Sequence, residues 1–465
     1  MEGAAPNSVN YTDTLPLAIH STQNRRSYYP QNGQKFTDTG SNIIRIDVNA
    51  DGMLDVQQSY LEFQLQWYGD KKAAMDQGHA WIKRLTIESA GVILEDIQNY
   101  NRLVAGILQP AQGSAAYTGE MQLAHFANSQ GVGTGDFVNE VADPTTDDAP
   151  TLRTATGVLA ADTDGSTGDG GKFTGQYHLC CGFLNMDKYL PLVLMGQGFT
   201  IQLEIDSAST CCVAEDGGDA TAKIEISNVK YVAHIVEMAR DFYDMLRNLQ
   251  AQSGGSLMIG SSTYRHFSHT MTVPAGASTH DINISARVRS LESLLFCSNT
   301  TTNLTSLGAW SLSSGATFGA TSGAFNVFVG AVRYPSNQIA FDTVNNKGQA
   351  YQELRKCFGA LGSINHGGFL NASSYLSSVD GSLLDRDPGA GGGSGRLPTY
   401  APLGISFKSW RHELEDGLDT SSRALPIRLA LQLTGATGAD FTIDIYAQAT
   451  VLFYFNMDGS VTASV

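Results

Sequence analysis

A chain of 465 residues exceeds what one hydrophobic core can organise, since single cores stop growing at roughly 250–300 residues, so at least two domains are expected. Only 16% of the residues are charged while 42% are hydrophobic, and the remainder is rich in Gly, Ser, Thr, Asn and Ala, a mixture that suits short strands joined by many turns and excludes a disordered chain. The formal net charge of -16 excludes a surface built to hold nucleic acid, because phosphate binding needs clustered Lys and Arg.

Residues 1–38 show little periodicity and are expected to form an N-terminal arm. They carry neither a basic stretch followed by an apolar one nor any other secretory signature, which points to synthesis in a reducing compartment. Alternation of apolar and polar residues then predicts strands at Asn42–Val48, Tyr60–Trp67, Trp81–Glu88 and Val92–Glu95. From Asp96 to Leu108 the spacing becomes helical, with Ile97, Tyr100, Leu103, Val104 and Ile107 on one face and Asp96 in the capping position. Residues 110–172 are rich in Gly, Ala, Asp and Thr and read as a long surface excursion. Within it, Asp136 to Asp169 holds eight acids against one base, Arg153.

Strands resume at Gln176–Cys181, Leu190–Met195, Phe199–Ile205 and Ala222–Ile235. A helix-like linker follows at Val236–Gln250, closed by Ser253-Gly254-Gly255. Further strands are expected at Thr263–Val273, Thr279–Arg287, Ser290–Cys297, Phe325–Tyr334 and Ile339–Asp342. A helix is expected at Ala350–Leu361, a flexible loop at Asp387–Arg396, and terminal strands at Leu425–Leu433 and Phe441–Phe455. No apolar run approaches the roughly 20 residues needed to span a bilayer as a helix.

The two halves repeat. Gln98-x-Tyr100-x-x-Leu103 in the first short helix matches Gln349-x-Tyr351-x-x-Leu354 in the second, and each follows two strands. Phe199–Ile201 and Ile224–Ile226 correspond to Ile427–Leu433 and Ile443–Ile445. About eight strands and one short helix, taken twice, is the element count of two jelly rolls in tandem.

Motifs that carry chemistry are sparse. Asp47-x-Asn49-x-Asp51-Gly52-x-x-Asp55 copies the first half of a calcium loop, but Gln58 stands where the bidentate Glu belongs, which favours a strand-connecting turn. Gly165–Lys172 is Gly-rich but has Ser166 and Phe173 where a P-loop requires Gly and Ser or Thr, which makes it a flexible loop. His266 and His269, three apart in a strand, face opposite sides and so do not make a cupin-type metal pair. The six cysteines, Cys180-Cys181, Cys211-Cys212, Cys297 and Cys357, lack metal-ligand spacing and read as free thiols. No catalytic, cofactor-binding or metal residue is therefore expected, and no enzymatic activity.

Five passages carry a family likeness: Tyr28–Tyr60 (YYPQNGQKFTDTGSNIIRIDVNADGMLDVQQSY), Cys181–Ile205 (CGFLNMDKYLPLVLMGQGFTIQLEI), Arg333-Tyr334-Pro335-Ser336 followed by Ala350–Leu361 (AYQELRKCFGAL), Phe407–Leu429 (FKSWRHELEDGLDTSSRALPIRL) and Asp444–Tyr454 (DIYAQATVLFY). In this order they resemble the double jelly-roll major capsid proteins of polinton-like viruses and virophages, in the adenovirus-hexon-like lineage of double-stranded DNA viruses. The acidic excursion and the Gly-rich loop near Gly391 match nothing in that pattern, and the acidic excursion is expected on the outer face or crown.

The resemblance implies an all-β fold of two tandem eight-stranded jelly-roll sandwiches, each with a short helix, joined by a helical linker. The divisions expected are an arm at 1–38, a first roll at 39–235 with its acidic loop at 110–172, a linker helix at 236–255 and a second roll at 256–465. It further implies a homotrimer forming pseudo-hexagonal capsomers that tile an icosahedral virion shell around double-stranded DNA. The partners implied are neighbouring capsomers, penton and minor capsid proteins, with an internal membrane left open, and no sequence-specific binding of nucleic acid. Synthesis would take place in the host-cell interior. The alternative from another class is a carbohydrate-binding β-sandwich attachment protein, which would need an exposed aromatic platform.

Overall fold

The computed structural model describes residues 21–68, 73–75, 81–108, 152–154, 157–159, 172–208, 212–214, 223–300, 318, 320–342, 348–358, 402–409, 416–422 and 425–465. Its first half contains β1 (Ser21–Tyr28), β2 (Lys35–Thr37), β3 (Ile43–Val48), β4 (Met53–Tyr68), β5 (Ala73–Met75), β6 (Ile82–Ser89), β7 (Val92–Gln98), α1 (Tyr100–Leu103), β8 (Leu152–Thr154), β9 (Gly157–Leu159), β10 (Lys172–Tyr177), β11 (Leu190–Pro191), β12 (Phe199–Ile205), β13 (Cys212–Ala214) and β14 (Lys223–Met238). The helix α2 (Arg240–Gln252) leads into β15 (Ser256–Val273), β16 (Gly276–Ile284), β17 (Leu291–Thr300), β18 (Ser322–Val329), β19 (Val332–Asp342), α3 (Gly348–Cys357), β20 (Leu403–Ser406), β21 (Ile427–Ala436), β22 (Ala439–Asn456) and β23 (Val461–Ser464).

The sheet orders repeat strand for strand. The first half has β1-β14-β4-β10 and β3-β12-β6-β7; the second has β15-β22-β17-β20 and β16-β21-β18-β19. Each half is thus an eight-stranded jelly roll, and the fold is a double jelly roll. Phe199–Ile201 and Ile427–Leu433, matched in sequence, fall in the equivalent strands β12 and β21, as Ile224–Ile226 and Ile443–Ile445 do in β14 and β22. The short helices α1 and α3 follow the equivalent strands β7 and β19, and their Leu103 and Leu354 are fully buried.

Alternation explains the strands with one wet face. In β3, Ile44, Ile46 and Val48 are buried between exposed neighbours, and β12 buries Phe199, Ile201, Leu203 and Ile205. Aromatic rings tie the layers together: Phe63 of β4 packs at 5.1 Å from Trp81 and 5.0 Å from Tyr177, and Phe296 of β17 meets Phe325 of β18 edge-on at 5.2 Å.

Several boundaries differ from the sequence reading. The segment read as an aperiodic arm holds β1, which pairs along its whole length with β14; its side chains are exposed up to Tyr28, so no apolar alternation marks it. Asp96 caps no helix. It lies in β7 opposite Thr86 and accepts two bonds from Arg84, at 2.6 and 2.8 Å, because the strand continues to Gln98 and Asn99 turns the chain in a left-handed conformation at φ 48. The helical run beyond Leu103 finishes as a π-turn at Val104–Leu108. Leu190–Met195 is a two-residue strand followed by a 3-10 turn. Phe325–Tyr334 is broken by a tight turn, with Gly330 at φ 60, into β18 and β19. The linker helix starts at Arg240, since β14 runs on to Met238.

The long connections share an end. Tyr68, where β4 finishes, pairs with Lys223, where β14 begins, and Lys172 opens β10 opposite Gln66. In the second half Thr300 finishes β17 opposite Phe441, near the start of β22. Apart from β8 and β9, the acidic excursion lies outside the described residues, as does the Gly-rich loop, and β10, the strand that follows the excursion, starts at this end. Among the described residues no helix is long and apolar enough to cross a membrane.

Candidate functional site, the seam between the two rolls

The two rolls meet along β7 and α1 of the first and β15, β22 and β23 of the second. Strand β22 is the reason a seam forms. Phe441, Ile443 and Ile445 are buried, but so are Thr442, Asp444 and Tyr446 between them, so this stretch has no wet side.

Asp444, with no exposed side-chain surface, is the hub. Its Oδ2 accepts from Arg102 Nη1 at 2.5 Å, and its Oδ1 faces His266 Nε2 at 2.7 Å and accepts from Asn99 Nδ2 at 3.0 Å. Arg102 and Asn99 belong to the first roll, His266 and Asp444 to the second. Tyr446 donates its hydroxyl to the Asn99 carbonyl at 2.8 Å. Burial by itself opposes ionisation of Asp444, but Arg102 and His266 outweigh it and hold the carboxyl at about 2. The positive Arg102 stays protonated despite its own burial because Asp444 lies beside it.

A second polar knot lies farther along β7. Glu95, fully buried, accepts the backbone N–H of Gly182 at 3.0 Å and of Phe183 at 2.6 Å. Burial raises its carboxyl above the ordinary range, partly opposed by the Thr263 hydroxyl of the second roll and by the Phe183 and Gly182 amides. Phe183 packs edge-on against both Phe199 and Phe453, at 5.3 and 5.2 Å, and so belongs to both rolls. Gly182 permits the approach: a Cβ there would lie 2.7 Å from the Ser262 carbonyl oxygen. The Cys180 N–H donates to the Tyr100 hydroxyl at 2.8 Å, which brings the helix motif residue to the same knot. At the opposite end Gly196 N–H donates to Gly459 O at 3.0 Å. The rolls are thus pinned at both ends, with their long connections pointing the same way.

This arrangement is a brace. Arg102, His266 and Asp444 bond to one another while Glu95 is held by backbone amides, and the thiols are held protonated by burial: Cys180 is pushed up to about 11, and Cys181, Cys297 and Cys357 are raised as well. The residues singled out in the sequence are dispersed. Asp47 accepts from Thr200 Oγ1 at 2.7 Å in β3, while Asp55 Oδ1 accepts from the Gln57 and Gln58 amides in β4, so the calcium-like motif is a turn between strands. Among the described residues no group of three His, Cys, Asp or Glu could hold a metal. His266 is buried in the seam and His269 is exposed. Gly165–Gly171 and Cys211 lie outside the described residues. Sequence reasoning missed Glu95, Arg102, His266 and Asp444 as a set, because each sits singly in a separate strand or helix. The one available signal was Gly182 in the CGFLNMDK passage.

The fold defined by these paired rolls is that of double jelly-roll viral capsid proteins. It superposes on PBCV-1 VP54, as fitted into a reconstruction of the virophage Sputnik, with a TM-score of 0.59 at 10% identity, covering 98% of this chain and 99% of that one. The mavirus major capsid protein gives 0.54 at 11% identity over 100% and 95% of the two chains, and the Faustovirus major capsid protein 0.55 at 10% over 96% and 92%. No protein-family model matches the sequence, and no curated protein matches it.

Proposed function

We propose that the chain is a major capsid protein with a structural, non-catalytic role. Three copies would close into a pseudo-hexagonal capsomer, and capsomers would tile an icosahedral virion shell around double-stranded DNA. The observation that carries this reading is the strand-for-strand repetition of two rolls held side by side with like ends together. One chain then offers two similar wedges, and three-fold rotation yields six around an axis. In this arrangement the units are the rolls at 39–235, extended back to Ser21, and 256–465, with the linker at 236–255. The shared end bearing the acidic excursion would face outward, where like charges are kept apart by solvent, and the remaining partners would be neighbouring capsomers, penton and minor proteins.

The test is light-scattering mass and negative-stain imaging of the purified chain. Three times the 49.7 kDa chain mass with a hexagonal outline supports the reading, while a persistent monomer refutes it. The carbohydrate-binding alternative needs clustered exposed aromatics. Among the described residues the exposed large aromatics are Tyr29, which follows β1, and Tyr189, which precedes β11, and they form no cluster in the strand pairings.

A further inference from the structure

The seam within the chain has a counterpart on the first roll that stays open to solvent. In the second roll, His266-Phe267-Ser268 of β15 lies opposite Tyr446-Ile445-Asp444 of β22. In the first, Lys35-Phe36-Thr37 of β2 lies opposite Ser227-Ile226-Glu225 of β14. The Ile-x-Ile match between β14 and β22 sets Glu225 in the place of Asp444. The pairing then sets Lys35 in the place of His266, and Phe36 in that of Phe267. The polar contact repeats as well: His266 Nε2 lies 2.7 Å from Asp444 Oδ1, and Lys35 Nζ donates to Glu225 Oε1 at 2.9 Å. What covers the two sites differs. Arg102 and Asn99 of the first roll close over Asp444, whereas Lys35 keeps 70% of its side chain exposed.

The helices correspond in the same way. Matching Gln98, Tyr100 and Leu103 with Gln349, Tyr351 and Leu354 sets Glu353 in the place of Arg102. All four residues of α1 are buried, Arg102 against the second roll; in α3, Tyr351, Glu353 and Arg355 are half-buried and Gln352 and Lys356 exposed. Among the described residues, α3 packs on β17, β19 and β20 of its own roll.

The charges of the two sets are inverted. Helix α1 brings a cation to the Asp444 carboxylate, while α3 carries the Glu353 carboxylate and the matching first-roll site presents the Lys35 ammonium. Glu353 set against Asp444 would face a like charge, as would Arg102 set against Lys35, so each helix suits one site and is repelled by the other. The occupant with the right shape and sign for the first-roll site is therefore α3 of a second copy. Such a contact, second roll to first, is heterologous and can close into a ring by rotation.

We propose that α3 of one copy seats against β2 and β14 of the next, with Glu353 reaching Lys35, so that the contact between copies repeats the internal seam with its charges exchanged. This rests on the capsomer of the proposed function and names the faces that build it.

The experiment treats the purified full chain with a water-soluble carbodiimide, which joins a lysine amine to a carboxylate held against it. Covalent dimer and trimer bands are expected to contain a Lys35–Glu353 amide by peptide mass spectrometry, and the monomer band to lack it. Lys35→Glu and Glu353→Lys should each raise the concentration of half-assembly at least roughly tenfold, and the double variant should return it to within about threefold of the unaltered chain. A trimer without the 35–353 link, single reversals that assemble normally, or a double variant no better than the singles overturns this contact and leaves the capsomer reading standing. A persistent monomer of the unaltered chain overturns both.

Discussion

Replacing Asp444 by Ala tests the seam most directly. The side chain is completely buried and makes three bonds, to Arg102 at 2.5 Å, His266 at 2.7 Å and Asn99 at 3.0 Å. Its loss leaves the Arg102 guanidinium, with only 10% of its side chain exposed, inside the protein without its counter-charge. Removing one partner of such a pair costs about 3–5 kcal/mol, whereas replacing both by apolar groups of similar volume is often neutral. Asp444→Ala should therefore lower the urea midpoint at unchanged slope by an amount equivalent to about 3–5 kcal/mol, and Asp444→Leu combined with Arg102→Met should recover most of it. Far-ultraviolet circular dichroism and tyrosine fluorescence, followed together, provide the measurement. A cost below about 1 kcal/mol for the single variant, or a double variant as unstable as the single, would refute a charge-compensation role.

The other expectations concern packing, acid and thiols. Gly182→Ala should cost about 1–3 kcal/mol, since the new Cβ would meet the Ser262 carbonyl at 2.7 Å and Glu95 Oε1 at 3.0 Å; thermal unfolding measures it, and a neutral outcome would mean the seam can shift. Asp444 titrates at about 2 in the fold against an ordinary 3.8, so its stabilisation is complete above about pH 4 and is lost as pH falls toward 2, about 2 kcal/mol in all. Glu95 has the opposite sign, its raised carboxyl favouring the fold at low pH and less so as pH rises. Denaturant titrations between pH 2 and 7 should accordingly show an acid limb that Asp444→Asn removes. Iodoacetamide at pH 8 should modify Cys180, Cys181, Cys297 and Cys357 in the folded chain at least roughly a hundredfold more slowly than after unfolding, as peptide mapping would reveal.

What could be read from the sequence follows from which faces are wet. Strands β3 and β12 each have one buried face, so their alternation shows directly in Ile44-Arg45-Ile46-Asp47-Val48 and Phe199–Ile205. Strand β1 exposes its residues up to Tyr28 and offers no pattern, although it completes the first sheet. Strand β22 has the reverse problem: Asp444 and Tyr446 alternate with apolar residues as a solvent face would, yet both are buried and bonded to the first roll. In α1 the polar Arg102 is buried for the same reason, against Asp444 of the second roll, whereas Asn101 is buried within its own roll, donating to Asp206. A surface buried by another copy of the same architecture looks, in sequence, like a surface facing water. The repeat was readable because it rests on local order, whereas the seam depends on residues such as Arg102 and Asp444 that are separated by most of the chain.

The chemistry of the seam bears on what it specifies. Apolar contacts such as Phe183 against Phe453 tolerate sliding, because dispersion changes gradually as surfaces move past one another. The Arg102–Asp444–His266 cluster does not. A slip of one residue along a strand moves the groups by about 3.3 Å, enough to break the three bonds to Asp444 and strand a charge. The Gly196–Gly459 backbone bond fixes the opposite end in the same way, and Gly459 stands at φ 80, which favours glycine. Two polar fixings at the two ends of a mainly apolar contact therefore define the angle and the axial offset between the rolls. In the capsomer proposed above, that offset would decide whether two wedges of one chain can stand as neighbours in a six-fold ring, and the buried charges would then serve the geometry of assembly more than stability.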